Sequence, residues 1–218
     1  MLTALSFASP AKGYVLQSLI PYYLVVGTIF PLVYSSVDEE MDDLGSTGDI
    51  NNFLTRPLNL HSWLLIKSIG EKLSSLFFIS PILLLLLLFF HQNIQNPANF
   101  LFLIISLTIS FLIYFNISYL TGLFSFWVDE FWAIHNVKYV VMQLLGGFII
   151  PLSLFPENIS GLISKTPFYF IGGWNATVIQ SGIKIPDIFM GIAWIFIISL
   201  ISRIVEKKAI SKYSFTGG

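Results

Sequence analysis

From residue 73 to residue 128 the chain carries no Asp, Glu, Lys or Arg, an uncharged run of 56 residues. A helix needs about 20 residues to cross the ~30 Å hydrocarbon core of a bilayer. The run therefore holds two crossings, divided by the polar break His91-Gln-Asn-Ile-Gln-Asn-Pro97. Composition agrees. Charged residues are 11% of the 218 and hydrophobic residues 55%, against roughly 25% charged in a soluble domain. So few charges could not cover so much apolar surface in water, and the abundance of aromatic and branched residues excludes a disordered chain.

The spans are helices rather than barrel strands. Pro81-Ile-Leu-Leu-Leu-Leu-Leu-Leu-Phe-Phe90 is apolar on every face, without the alternation of a barrel strand. The same reading places spans at about 13–36, 73–90, 98–127, 139–155 and 188–205, and predicts an all-α integral membrane protein with a single transmembrane domain over 1–218. Pro81 falls inside the second span, and Pro21, Pro31 and Pro151 lie near the ends of others, where kinks are expected.

Basic residues set the orientation. Arg56, Lys67, Lys72, Lys138, Arg203, Lys207, Lys208 and Lys212 fall on one side, and Lys12, Lys165 and Lys184 on the other. The first side is cytoplasmic by this rule and includes the C terminus, with the N terminus outside. Trp63, Trp127 and Trp132 then lie near the inner interface and Trp174 near the outer one, as aromatic belts require. Trp194 falls mid-span and reads as helix packing. Residues 1–10 lack the basic start of a secretory signal.

Two connecting segments exceed a simple turn. The cytoplasmic segment 37–72 opens with Asp38, Glu39, Glu40, Asp42, Asp43 and Asp49, then turns amphipathic through Ile50-Asn-Asn-Phe-Leu-Thr-Arg-Pro57. The outer segment 156–187 contains Pro156, Pro167, Gly172-Gly173 and Pro186, a pattern suited to short helices lying along the outer surface.

Residues for chemistry are sparse. None of the spans carries a central ionisable group of the kind an ion-coupled carrier uses. Glu71, Asp129 and Glu130 sit at span edges, and neighbours such as Asp129 and Glu130 point about 100° apart on a helix, so they do not converge as acid and base. His61, His91 and His135 fall on both faces of the membrane and the chain has no cysteine, so no metal site is expected. No cofactor motif is present, and no basic stripe suggests nucleic acid. A lipid-modifying enzyme would need convergent polar residues within the bilayer. What remains is a passage without an engine, either passive or driven by a partner on the cytoplasmic side.

At the cytoplasmic segment the sequence resembles a known family. Gly48-Asp49-Ile50-Asn-Asn-Phe-Leu54-Thr55-Arg56-Pro57-Leu58, followed by an apolar helix with Lys67, Gly70 and Glu71, is similar to the permeases of prokaryotic type-2 ABC exporters. Matches follow in order: the aromatic-acidic turn Phe126-Trp127-Val128-Asp129-Glu130-Phe131-Trp132, the stretch from Gly146-Gly147 through Pro151-Leu152-Ser153-Leu154-Phe155-Pro156, then Phe168-Tyr169 and the closing Tyr213 to Gly218. The resemblance implies a permease without its own ATPase site, paired with a second permease copy or paralogue and with cytoplasmic ATP-binding subunits, moving substrate outward through the cell membrane. It assigns ATPase contact to Asp49, Asn52, Phe53 and Arg56, and an outer gate to Gly146, Gly147, Pro151, Phe155 and Pro156. Family members have six spans, so residues 1–12 would correspond to the outer end of a first helix. The alternative is a passive membrane channel or scaffold without an ATPase partner.

Overall fold

The computed structural model describes residues 16–50, 59–89, 98–128 and 130–216, and every regular element among them is helical. Helix α1 (Leu16–Val33) contains Pro21 and Pro31. Lys72, from the third helix, donates to the carbonyl of Pro31 at 3.2 Å, satisfying one of the acceptors left open at a helix C terminus. After a three-residue turn comes α2 (Val37–Thr47), with Asp38, Glu39 and Glu40 in its first turn. Carboxylates there complement the positive end of the helix dipole. Gly48 closes α2 in the left-handed conformation at φ 78°, the usual glycine stop.

Helix α3 (Leu60–Phe89) runs through Pro81. Helix α4 (Ala98–Gly122) continues into a 3₁₀ turn, Leu123–Phe126. Helix α5 (Phe131–Leu145) leads to a 3₁₀ turn at Leu152–Leu154, then α6 (Glu157–Ile163), a 3₁₀ segment at Pro167–Ile171, and α7 (Gly173–Ser181). Helix α8 (Ile185–Thr216) completes the fold. Among the described residues four helical stretches are long and apolar enough to cross a membrane: Leu19–Thr47, Leu60–Leu85, Leu101–Phe126 and Ile185–Ser211.

Two boundaries differ from the sequence expectation. The second span was expected from residue 73, but its helix begins at Leu60, because the intervening Lys67, Glu71 and Lys72 are good helix formers. Charge marks the edge of the apolar zone and not the end of the helix. The expected fourth span, 139–155, is divided. Helix α5 has 15 residues, which reach roughly 22 Å, and Gly147 then turns the chain with φ 82°. The irregular backbone beyond it bonds back to the protein, Phe148 N–H to the Gln143 carbonyl at 3.0 Å and Gly173 N–H to the Gly146 carbonyl at 2.8 Å. Such backbone is compatible with membrane depth when buried against protein.

The outer segment also departs from expectation. Helix α6 suits a surface position, with Ile159 and Leu162 exposed, but Phe170, Ile171, Trp174 and Val178 are buried in the core. The 3₁₀ segment and α7 are inserted beside α4 rather than laid over it.

Helix α4 is the axis of the molecule. Of its most apolar window 56% is buried, against 6% for the α3 span and 17% for the α8 span. One core gathers Ile109, Ile113 and Tyr114 with Val33, Met142, Phe170, Trp174 and Ile198; a second gathers Phe111, Phe115, Tyr119 and Leu123 with Val37, Met41, Leu60, Leu64 and Ala209. Every fourth residue along one face of α4 is small or polar: Ser106, Ser110, Tyr114, Ser118 and Gly122. Ser110 Oγ donates to the Phe170 carbonyl and accepts from Asn175 Nδ2 at 2.8 Å. Ser118 Oγ donates to the Ser35 carbonyl at 3.1 Å. At Gly122 an added Cβ would stand 2.8 Å from Asp38 Cα and 2.9 Å from Met41 Sδ, so α2 crosses α4 at the one position that has no side chain.

Gly122→Ala should therefore lower the thermal midpoint in micelles, by overpacking worth about 1–3 kcal/mol. Gly70→Ala, at an open position on α3, should leave it unchanged or raise it by gaining up to about 1 kcal/mol of helix propensity. Equal melting curves for Gly122→Ala and the parent chain would refute the close crossing.

Candidate functional site

Burial of α2 against α4 carries one acidic side chain into the protein. Val37, Asp38 and Met41 are the buried residues of α2, and the Asp38 side chain is wholly inaccessible. A lone buried carboxylate is very costly unless paired and hydrogen-bonded. Its partners come from the facing side of α5, where Lys138 and His135 lie one turn apart. Lys138 Nζ stands 2.6 Å from Asp38 Oδ2 and His135 Nδ1 2.7 Å from the same oxygen. Both bonds meet Oδ2, and among the described residues Asp38 Oδ1 has no hydrogen-bond partner.

The cluster extends in two directions. Lys138 Nζ reaches Ser118 Oγ at 3.3 Å and lies over the Tyr114 ring at 5.8 Å, a cation–π geometry. His135 Nε2 reaches Glu39 Oε1 at 3.0 Å, and its ring stacks on Tyr139. Burial pushes the Lys138 ammonium below its usual range, while the adjoining Asp38 carboxylate pulls it back up. Outside this core, Lys67 of α3 pairs with Glu40 of α2, a half-exposed contact that contributes little.

A second polar junction lies at the start of α3. His61 packs edge-on against Phe115 and Tyr119, and its Nε2 stands 3.4 Å from Asn116 Oδ1. Ser199 of α8 donates to the same Asn116 oxygen at 2.7 Å. The connection between α2 and α3 is thus flanked by contacts to the bundle on both sides, at Asp38 and at His61.

Of the residues expected to meet an ATPase, Asp49 is exposed in the turn after α2 and accepts from Thr47 Oγ1 at 3.2 Å. Asn52, Phe53 and Arg56 lie outside the described residues. Of the expected outer gate, Gly146 and Gly147 are brought against Gly172 and Gly173, so closely that a Cβ on Gly172 would lie 2.5 Å from the Gly146 carbonyl. Tyr22 and Tyr23 of α1 donate to the carbonyls of Gly147 and Ile149 at 2.6 and 2.8 Å. Pro151 is buried below this knot, Phe155 is partly buried, and Pro156 is exposed at the start of α6. Trp194, read as helix packing, also donates its indole N–H to the Lys165 carbonyl at 3.0 Å.

Asp38, His135 and Lys138 escaped the sequence reading. Asp38 was one of six acids in a segment that reads as solvated, and Lys138 counted toward the cytoplasmic charge. The available signal was the spacing: His135 and Lys138 are three apart, on one face of a helix, and the Ser106-to-Gly122 stripe marks where α4 admits polar neighbours.

These features define a multi-pass, all-helical integral membrane protein in which an acidic helix is joined to the membrane bundle through a buried charge pair. A family model described as ABC-2 family transporter protein matches residues 4–217, and the chain belongs to that family. It is thereby the membrane component, the permease, of a transporter. No curated protein and no solved structure matches the chain.

Removing one member of the pair strands the other. Lys138→Met should destabilise the protein by about 3–5 kcal/mol, while the double variant Asp38→Asn/Lys138→Met should recover much of that loss. A double-mutant cycle by chemical denaturation in micelles measures the coupling, and strictly additive losses would contradict it.

Proposed function

We propose that this permease is the transmembrane subunit of an ATP-driven exporter, working as a dimer with a second permease copy or paralogue. A separate cytoplasmic ATP-binding subunit supplies the energy. It docks on the connection between α2 and α3, with Asp49, Asn52, Phe53 and Arg56 as contacts, and the C terminus lies on the same side. The cell membrane is the site of action.

The observation that carries this reading is the Asp38–Lys138 pair, closed at 2.6 Å in a fully buried setting. A docking segment transmits force only if its root is stiff. Here the root of α2 is fixed to α5 by charge and to α4 by close contact at Gly122, so a push on the loop reaches two membrane helices together. At the far side, the knot of Gly146, Gly147, Gly172 and Gly173 supports a role for the outer segment in shaping the exit. Arg56 carries a planar, forked guanidinium, a donor type suited to a carboxylate on the partner.

Co-expression with the cognate ATP-binding subunit tests the proposal. Arg56→Glu and Asp49→Lys should each reduce co-purification and permease-stimulated ATP hydrolysis about tenfold or more, given about 2–5 kcal/mol for a broken interfacial charge pair. Unchanged binding and hydrolysis would overturn the contact assignment. Solute conduction by the purified chain without any ATPase would favour a passive channel instead.

A further inference from the structure

In a membrane protein the carbonyls of irregular backbone need donors from within the protein, and the turn after α5 takes two of its donors from α1. Tyr22 Oη donates to the Gly147 carbonyl at 2.6 Å and Tyr23 Oη to the Ile149 carbonyl at 2.8 Å. Tyr22 comes this close because residue 147 is glycine: a Cβ there would stand 2.7 Å from the hydroxyl. Other backbone bonds of the turn run elsewhere. Phe148 and Ile149 N–H both donate to the Gln143 carbonyl of α5, at 3.0 and 3.2 Å, and Gly173 N–H of α7 donates to the Gly146 carbonyl at 2.8 Å. The turn is therefore fastened to α5 and α7, and the two hydroxyls cross a seam to α1.

Helix α1 is fastened differently toward its two ends. Near its C terminus, Lys72 of α3 donates to the Pro31 carbonyl at 3.2 Å, and Ser118 of α4 to the Ser35 carbonyl just beyond the helix at 3.1 Å. The Phe30 ring meets Phe148 at 5.1 Å, two turns along the same face from Tyr23. Val26, Ile29 and Val33 are buried, but apolar contact is non-directional and tolerates a tilt. A hydrogen bond does not, since it fails within a fraction of an ångström.

We propose that Tyr22 and Tyr23 are the bolt of the exit: α1, pivoting on its pinned C-terminal end, parts from the turn at residues 147–149 when both hydroxyls exchange their carbonyls for water, and substrate leaves through the seam so opened.

This rests on the reading of the glycine turn as the outer gate and names the helix against which that gate closes. The exchange is modest in cost, because a hydroxyl and a carbonyl that separate into water each regain a hydrogen bond there. Tyr23 is already exposed. The seam is thus closed by a small margin, and the turn keeps its bonds to α5 and α7 when α1 leaves it.

The chain has no cysteine, so a single thiol can report the seam. Val26→Cys, one turn from Tyr22 on the same face and 1% exposed in the closed state, is treated with a charged, water-soluble thiosulfonate in the purified full chain in micelles. Tyr22→Phe/Tyr23→Phe in this background removes both hydroxyls and keeps both rings. It should raise the labelling rate about tenfold, as the loss of two ordinary hydrogen bonds implies. Tyr23→Phe alone, at the exposed bond, should raise it about threefold, so the test stands even where the double variant does not fold. Tyr169→Phe, whose hydroxyl meets Thr177 at 3.4 Å, should leave the rate unchanged. No rise in the Tyr22 and Tyr23 variants, or an equal rise in Tyr169→Phe, overturns the proposal. In complex with the ATP-binding subunit, addition of ATP should also raise labelling of Val26→Cys with both tyrosines intact. Hydrolysis without that rise overturns the bolt and leaves the exporter reading standing. Failure to bind or stimulate the subunit overturns the exporter reading, and labelling of the chain alone still decides the bolt.

Discussion

A carboxylate with no access to water anchors this protein. Asp38 is buried because α2 must lie against α4 to cover Val37 and Met41, and the crossing is possible because Gly122 offers no side chain there. Once buried, the carboxylate dictates its surroundings. It needs a cation within contact distance, and the bundle supplies Lys138 from α5, supported by Ser118 and Tyr114 from α4. Replacing the pair by apolar groups would be no weaker in principle. What the pair adds is direction, since only one placement of α2 brings both charges together. The acidic helix is thus an extension of the membrane bundle.

The half that carries the glycine knot is held by backbone rather than charge. Ser110 and Asn175 bond the inserted 3₁₀ segment to α4, and the tyrosines of α1 hold the carbonyls after Gly146. Four glycines allow two turns of main chain to touch. Between this knot and the Asp38 cluster runs the same face of α4, with a small or polar residue at each fourth position. One helix therefore connects the two ends along which a transport cycle would act.

The sequence revealed the class of the molecule readily. An uncharged run of 56 residues and its polar break leave no soluble alternative, and ordered motifs along most of the chain point to the family that the family model assigns. The acidic helix was visible as six clustered carboxylates. What was hidden follows from physics that composition does not record. Hydropathy reports where a membrane ends and not where a helix ends, so α3 starts before its apolar run. A glycine pair reads as close packing until the backbone it turns is seen, so residues 139–155 looked like one crossing. Asp38 is chemically the same as Asp42 or Asp43, and only the crossing with α4 distinguishes it. Lys138 served equally well as a cytoplasmic charge and as a buried counter-ion. The period-four stripe on α4 and the three-residue spacing of His135 and Lys138 were the readable signs that polar groups gather there.

The central claim is that the buried Asp38–Lys138 pair makes α2 move as one body with α5. Pulsed electron resonance between nitroxides at Ser46→Cys on α2 and Val137→Cys on α5, both exposed, measures that directly. A single narrow distance distribution in the parent chain, broadened when Asp38→Asn removes the charge, is the predicted result. A distribution equally narrow in both, or equally broad in both, would contradict it.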